Sequence, residues 1–220
     1  MRKLEVCANS IESALNAQNG GADRIELCVE LSVGGLTPSK GMIQLANELL
    51  EIPIFVLIRP RSGGFHYSKM ELEVMKEDVK FCAEIGCAGV VFGALTADRF
   101  VNQPATELLM DAAGFMDVTF HRAFDSVPNL FEAMDTLREM GVQRILTSGG
   151  PGNCVDNIDT IGELIEEAED ELIIMPGGGV RPENIALVKQ TGAIEYHSSA
   201  IAGGVHSDLK VIKALKKAIT

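Results

Sequence analysis

The chain has 220 residues, 46% hydrophobic and 23% charged, with a formal net charge of -12 at pH 7. That apolar share supplies a sizeable core, in one large α/β domain or two small ones. The acidic balance, with no Trp and 2 Tyr, sets aside nucleic acid and anionic membranes, whose binding calls for a basic face or stacking rings.

Cys number 5 and include no close Cys-x-x-Cys pair, which argues against a disulfide framework or a structural zinc knuckle. Met1 to Glu5 runs into a strand pattern without the apolar core of a signal peptide, and no stretch is long enough to span a bilayer. A cytoplasmic protein with reduced thiols, outside the membrane, is expected.

The first strand is read at 4–8, and Asn9-Ser10 caps a helical pattern through Ile11, Ala14, Leu15 and Ala17 that stops at Gly20-Gly21. A second strand at 24–29 leads to Thr37-Pro38, a cap with proline at the first helical position ahead of Met42, Ile43 and Ala46. Strands follow at 54–58, 90–92, 118–120, 144–146, 172–175 and 194–197. Helices are read at 68–84, 104–113, 128–140 and 155–168, then one opening at Pro182 and one at 207–219.

Eight apolar strands alternating with helices predict a parallel sheet closed into a (β/α)8 TIM barrel, one domain over 1–220. The alternative, an open doubly wound sheet, lacks a Gly-x-Gly-x-x-Gly turn after its first strand.

Leu4-Glu5-Val6-Cys7 and Ile25-Glu26-Leu27-Cys28 form a local repeat. Side chains alternate along a strand, so Glu5, Cys7, Glu26 and Cys28 share the inward face while the aliphatic residues pack under the helices. The two thiols are either small buried hydrophobes or a soft-metal pair, thiolates preferring Cu(I) or zinc. Cys82, Cys87 and Cys154 fall on helix faces or loops and read as structural.

After the third strand, Arg59 and Arg61 offer planar forks to a ligand's carboxylate or phosphate, or to Glu5 and Glu26 inside the barrel. His121, at the C-terminal end of the fifth strand with Arg122 and Asp125 beside it, stands where barrel enzymes place an acid, base or ligand. Glu195 and His197 repeat that relation on the eighth strand. Gly149 in Thr147-Ser148-Gly149-Gly150, the Gly177-Gly178-Gly179 turn and Ser198-Ser199 resemble a backbone-amide anion cradle, although tight turns need glycine without any ligand.

Taken together, Glu5-Val6-Cys7, the run from Gly21 to Cys28, Gly34-Gly35-Leu36-Thr37-Pro38-Ser39, Arg59-Pro60-Arg61, the run from Val118 to Asp125, Leu146-Thr147-Ser148-Gly149 and His197-Ser198-Ser199-Ala200 resemble the CutC family of copper homeostasis proteins. The resemblance spans almost the whole chain. It implies a (β/α)8 barrel, a cytoplasmic location, self-association into a homo-oligomer, and a Cu(I) site on Cys7 and Cys28, with no organic cofactor.

Gly64 stands where the family often has Asp, and the segment after Ala200 is shorter than in longer members, which implies a more open mouth beside the eighth strand. Beside copper binding stands a second expectation, a lyase or isomerase acting on a small anionic or phosphorylated metabolite. There Glu5, Glu26, His121, Arg122, Asp125 and His197 would be the reactive set, with His121 as general acid or base. Arg59, Arg61, Ser148, Gly149, Gly177, Gly178, Gly179, Ser198 and Ser199 would hold the anion. A scaffold that keeps only a fossil site is the third.

Overall fold

The computed structural model describes residues 2–220. Its strands are β1 (Lys3–Ala8), β2 (Arg24–Leu27), β3 (Ile54–Leu57), β4 (Gly89–Phe92), β5 (Asp117–Phe120), β6 (Arg144–Thr147), β7 (Ile173–Pro176) and β8 (Glu195–Ser198). Between and after them run α1 (Ile11–Gly20), α2 (Lys40–Leu49), α3 (Lys69–Glu84), α4 (Gln103–Ala113), α5 (Leu130–Glu139), α6 (Ile158–Ala168), α7 (Ile185–Val188) and α8 (Leu209–Ile219).

All strand pairs are parallel, in the order β7-β6-β5-β4-β3-β2-β1-β8, which is a nearly closed (β/α)8 TIM barrel. Among the described residues the ladder is missing only between β7 and β8, where the sheet's two ends meet. No described helix is long and apolar enough to cross a membrane.

Strand alternation sorts two interiors. Leu4, Val6, Ile25, Leu27, Val90 and Phe120 face outward and pack under the helices, while Cys7, Cys28, Phe55, Leu57 and Val91 form a smaller cluster inside the barrel. Gly89 has to be glycine, because a Cβ there would lie 2.3 Å from the Phe55 ring that fills the barrel.

Below that ring the floor is ionic. Arg24 donates to Glu5 and, at 2.6 Å, to Glu195, while Arg144 donates to Glu195 at 2.6 Å and to Thr119 at 3.2 Å. Both guanidiniums also face Phe55, at 5.1 and 5.3 Å from the ring centre. These glutamates are buried, and the arginines compensate the desolvation they would otherwise suffer.

Helix starts differ from expectation where a capping side chain lies further along. Ser39, not Thr37, caps α2 by accepting from Met42, and the Thr37 hydroxyl instead accepts the Arg59 amide at 2.8 Å. Asn129 and Asp208 cap α5 and α8, so those helices open at Leu130 and Leu209. A 3-10 turn over Cys154–Asn157 takes the first turn read for α6. The segment after β8 does not leave the mouth bare, for Ile201 pairs with Ser207, and Val205 and His206 bond Asn9 and Ser10 above α1.

Candidate binding site at the barrel mouth

β1 and β2 bring their inward residues together with the end of β8. The Cys7 and Cys28 sulfurs are 3.3 Å apart, both as free thiols, with Cys28 fully buried and Cys7 on the wall of a cavity. His197 Nδ1 lies 2.7 Å from Glu5 Oε1, and its Nε2 lies 3.6 Å from Glu26 Oε2. Cys7, Glu26 and His197 each offer a ligand atom, all within 4.8 Å of one another.

The electrostatics of this wall divide its two carboxyls. Burial works to raise the Glu5 pKa, but the Arg24 charge and the His197 bond overcome it and hold Glu5 well below the usual carboxylate range. Glu26 lacks such a direct arginine bond, and burial pushes it up. Burial works against the His197 imidazolium, yet Glu5 and Glu26 together raise its pKa. The bond to Cys28, then burial, lift the Cys7 thiol.

The facing wall comes from the loops after β5, β6, β7 and β8. Asp125 accepts from the Ser148 amide at 3.0 Å, the Ser148 hydroxyl at 2.7 Å and Arg122 Nε at 2.8 Å, so it knits two loops behind the cavity. Ser148 is buried, and Gly149 and Gly177 donate their amides to Thr147. Gly178 and Gly179, at φ 80° and 95°, line the cavity with Arg122, Ser198 and Ser199. Arg122 packs flat against the β7 turn, 3.0 Å from where a Cβ on Gly178 would stand.

His121 completes this wall. The Ala123 amide donates to its Nδ1 at 3.2 Å, which assigns the proton to Nε2. That Nε2 is buried, without a partner among the described residues, on a ring that lines the cavity. Burial, then the nearby Arg59 charge, lowers its pKa to about 3, which favours the neutral ring.

The arginines after β3 do not pair with Glu5 or Glu26, and only Arg59 lines the cavity, its Nε buried without a partner among the described residues. Arg59 spends Nη1 and Nη2 on the carbonyls of Val33, Gly35 and Gly63, and so fixes the loops around the mouth. Arg61 pairs with Glu71 and lines a separate surface hollow with His66 and Arg99. The partners of the interior glutamates are Arg24, Arg144 and His197. Arg24 shares strand parity with Glu26 and was legible on that ground. Arg181, just past the glycine turn, also lines the cavity and bonds Ser198 at 3.1 Å and Ser199 at 3.3 Å.

Fold and site together define a TIM-barrel protein with a small-ligand cleft at the C-terminal ends of its strands, one wall rich in metal-ligating atoms and the other in N–H donors. The model of the CutC family matches residues 2–202, and the chain belongs to that family. It is 46% identical over 198 residues to the "Copper homeostasis protein cutC homolog" of Homo sapiens, covering 90% of this chain and 72% of that one. It is likewise 46% identical over 208 residues to a family protein CutC of Xanthomonas campestris pv. campestris (strain B100), covering 93% of this chain and 87% of the relative. A solved CutC structure from Streptococcus agalactiae superposes with a TM-score of 0.87 at 36% identity, over 90% of this chain and 99% of that one. The aldolase QR15, at TM-score 0.70 and 14% identity, shares the fold alone.

Proposed function

We propose that this barrel, a single domain, binds a soft metal ion at its mouth, copper(I) foremost, as a copper homeostasis protein of the cytoplasm. The observation that carries the reading is the convergence of Cys7, Glu26 and His197 ligand atoms within 4.8 Å, with the Cys28 sulfur 3.3 Å from that of Cys7. Two sulfurs beside an imidazole make a soft donor set, which favours copper or zinc over hard ions. Glu5 on His197 Nδ1 supplies the carboxylate-to-histidine bond that orients a ligating imidazole and presents its other nitrogen. The human relative's name supports the choice of copper.

Anaerobic Cu(I) titration against a competing chelator tests the reading. The expected result is one stoichiometric site, lost in the Cys7→Ala/Cys28→Ala protein, and an unchanged isotherm in that variant would sink it. Light scattering of the purified chain reads the self-association expected of the family.

A second reading is an enzyme of the lyase or isomerase class acting on a small anionic metabolite. What favours it is a pair of carboxyls driven in opposite directions on either side of one imidazole, Glu5 kept ionised and Glu26 pushed toward its protonated form. Such a division suits proton transfer within a cavity of about 200 Å³ that is partly open to solvent. Candidate metabolites screened by thermal shift, followed by turnover of wild type and Glu26→Gln, test it. Binding that survives with turnover lost is the expected pattern, and equal turnover in both proteins would exclude Glu26 as the acid or base.

A further inference from the structure

Most donors around the mouth are already engaged. Arg59 serves three carbonyls, Arg61 a surface glutamate, and Ser148, Gly149 and Gly177 the turns themselves. Arg59 Nε is buried without a partner among the described residues, and the other uncommitted donors of the cavity lining gather on one wall. His121 is 5% exposed, and its Nε2–H meets no acceptor among the described residues although the ring lines the cavity. A buried donor left unsatisfied costs about 1–3 kcal/mol, and because Nε2 itself is closed off in this structure, a small turn of the ring that brings its N–H to an acceptor in the cavity is favoured.

The ring is also held deliberately. A Cβ on Gly93 would stand 2.5 Å from His121 Nδ1, so glycine beneath the ring makes its slot. The Ala123 amide fixes which nitrogen carries the proton. Phe65 packs on the other side, its ring centre 5.0 Å away.

Next to this donor are fixed positive groups. Arg181 is anchored by the Val180 carbonyl and by Ser198 and Ser199, an arrangement that uses three of its five N–H groups and orients the guanidinium. Arg122 is held flat by Asp125, Ser148 and the Gly152 carbonyl, with its Nη1 free of protein acceptors among the described residues. Gly178 and Gly179 line the same cavity, and their amides likewise donate to no protein group among the described residues. The loops after the seventh and eighth strands of a TIM barrel are well suited to holding an oxyanion in this way.

We propose that this wall is a built two-point subsite for a small organic anion. Its phosphate or carboxylate group sits among Arg181, Arg122 and the Gly178-Gly179 amides, and a carbonyl or hydroxyl oxygen of the same molecule accepts the His121 Nε2–H. The proposal deepens the enzyme reading by naming the substrate class and by giving His121 the part of a neutral hydrogen-bond donor that polarises the ligand oxygen. Cys7, Glu26 and His197 then face the atoms adjacent to that oxygen.

The test uses the full chain stripped of metal by a chelator, so that copper binding does not enter. Glycerol 3-phosphate and, separately, glycolate, each an anion that also carries a hydroxyl, are titrated while the ring nitrogens of His121 are followed by NMR, with Nε2 identified by its loss in His121→Phe. The proposal expects a saturable shift of the His121 signal, a rise in melting temperature, and at least about a tenfold weaker response in Arg181→Met, the equivalent of one charge-assisted bond. It also expects the response intact in Cys7→Ser/Cys28→Ser. Response to glycerol 3-phosphate, to glycolate or to both tells a phosphoryl from a carboxylate ligand.

His121 signals unmoved by either anion would overturn the proposal, as would an Arg181→Met protein that responds like wild type. Should Arg181→Met fail to fold, Arg181→Lys, which keeps the charge and loses the fork, is expected to bind more weakly, and equal binding overturns the proposal. The readout is binding, so absence of turnover with binding intact defeats only the enzyme reading.

Discussion

At the scale of single residues, the His121 ring lines the barrel mouth with Phe65 packed on it and the Arg59 charge nearby. Strand parity puts it inside the barrel mouth, where it lies, but alternation says nothing of the Arg59 charge and the apolar shell that keep its ring neutral down to about pH 3. Replacing it by Phe removes the unpartnered Nε2–H and leaves the Ala123 amide without its acceptor. Two effects of about 1–3 kcal/mol then oppose each other. His121→Phe is therefore expected to stay within about 1 kcal/mol of wild type in urea unfolding while losing the anion response. A large loss of stability would mean that the ring is structural. The arginines are harder to read, because guanidiniums in a loop look identical in sequence whether they serve a ligand or the backbone. The contacts of Arg59 depend on Val33, Gly35 and Gly63 coming close in space, which no local pattern encodes.

At the scale of elements, strands were more legible than helix starts. Period-two alternation over Glu5 to Cys7 and Glu26 to Cys28 sets which side chains enter the barrel, and the eight-fold rhythm sets the architecture. Helix starts depend on which of several neighbouring Ser, Thr, Asn or Asp side chains reaches an amide, and α2 chose Ser39 over Thr37. The floor of the barrel needed pairing register, since Arg24 faces Glu5 only through the β1–β2 alignment and Glu195 only across the interior. Arg24→Leu leaves Glu5 without its arginine, deep in the barrel. It is expected to cost about 3–5 kcal/mol in urea unfolding, and a cost below about 1 kcal/mol would show that Arg144 and His197 alone carry the buried charge. Gly93→Ala, by contrast, should fold but displace the His121 ring, and the same NMR titration would show a weakened anion response.

For the whole molecule, the interior charges set how stability follows pH. Glu5 and Glu195 have lowered folded-state pKa values, so the stability they add is present above the unfolded carboxylate range and is lost as pH falls through the folded values. Glu26 and His197 are raised and act in the opposite sense. Their contribution is full below the unfolded values and fades as pH rises through the folded ones. The urea midpoint should therefore peak in the weakly acid range, dropping from about pH 5 toward pH 3 and more gently above neutrality. The acid limb should flatten in Arg24→Leu, and a midpoint rising steadily toward acid would contradict the assignment. His197 is faced in this balance by Glu5 from β1 and by Glu26 and Arg24 from β2.

The missing ladder between β7 and β8 carries one more consequence. Every other strand boundary is stitched by main-chain bonds, whereas here the segment after β7 is tied to β8 by the Ser198 bond to the Val180 carbonyl. The cleft straddles this boundary, with Gly178, Gly179 and Arg181 on one bank and His197, Ser198 and Ser199 on the other. The two banks are tied instead by side chains, Arg181 to Ser198 and Ser199 and Ser198 to the Val180 carbonyl, so the width of the cleft is set by these bonds rather than by a rung of the sheet.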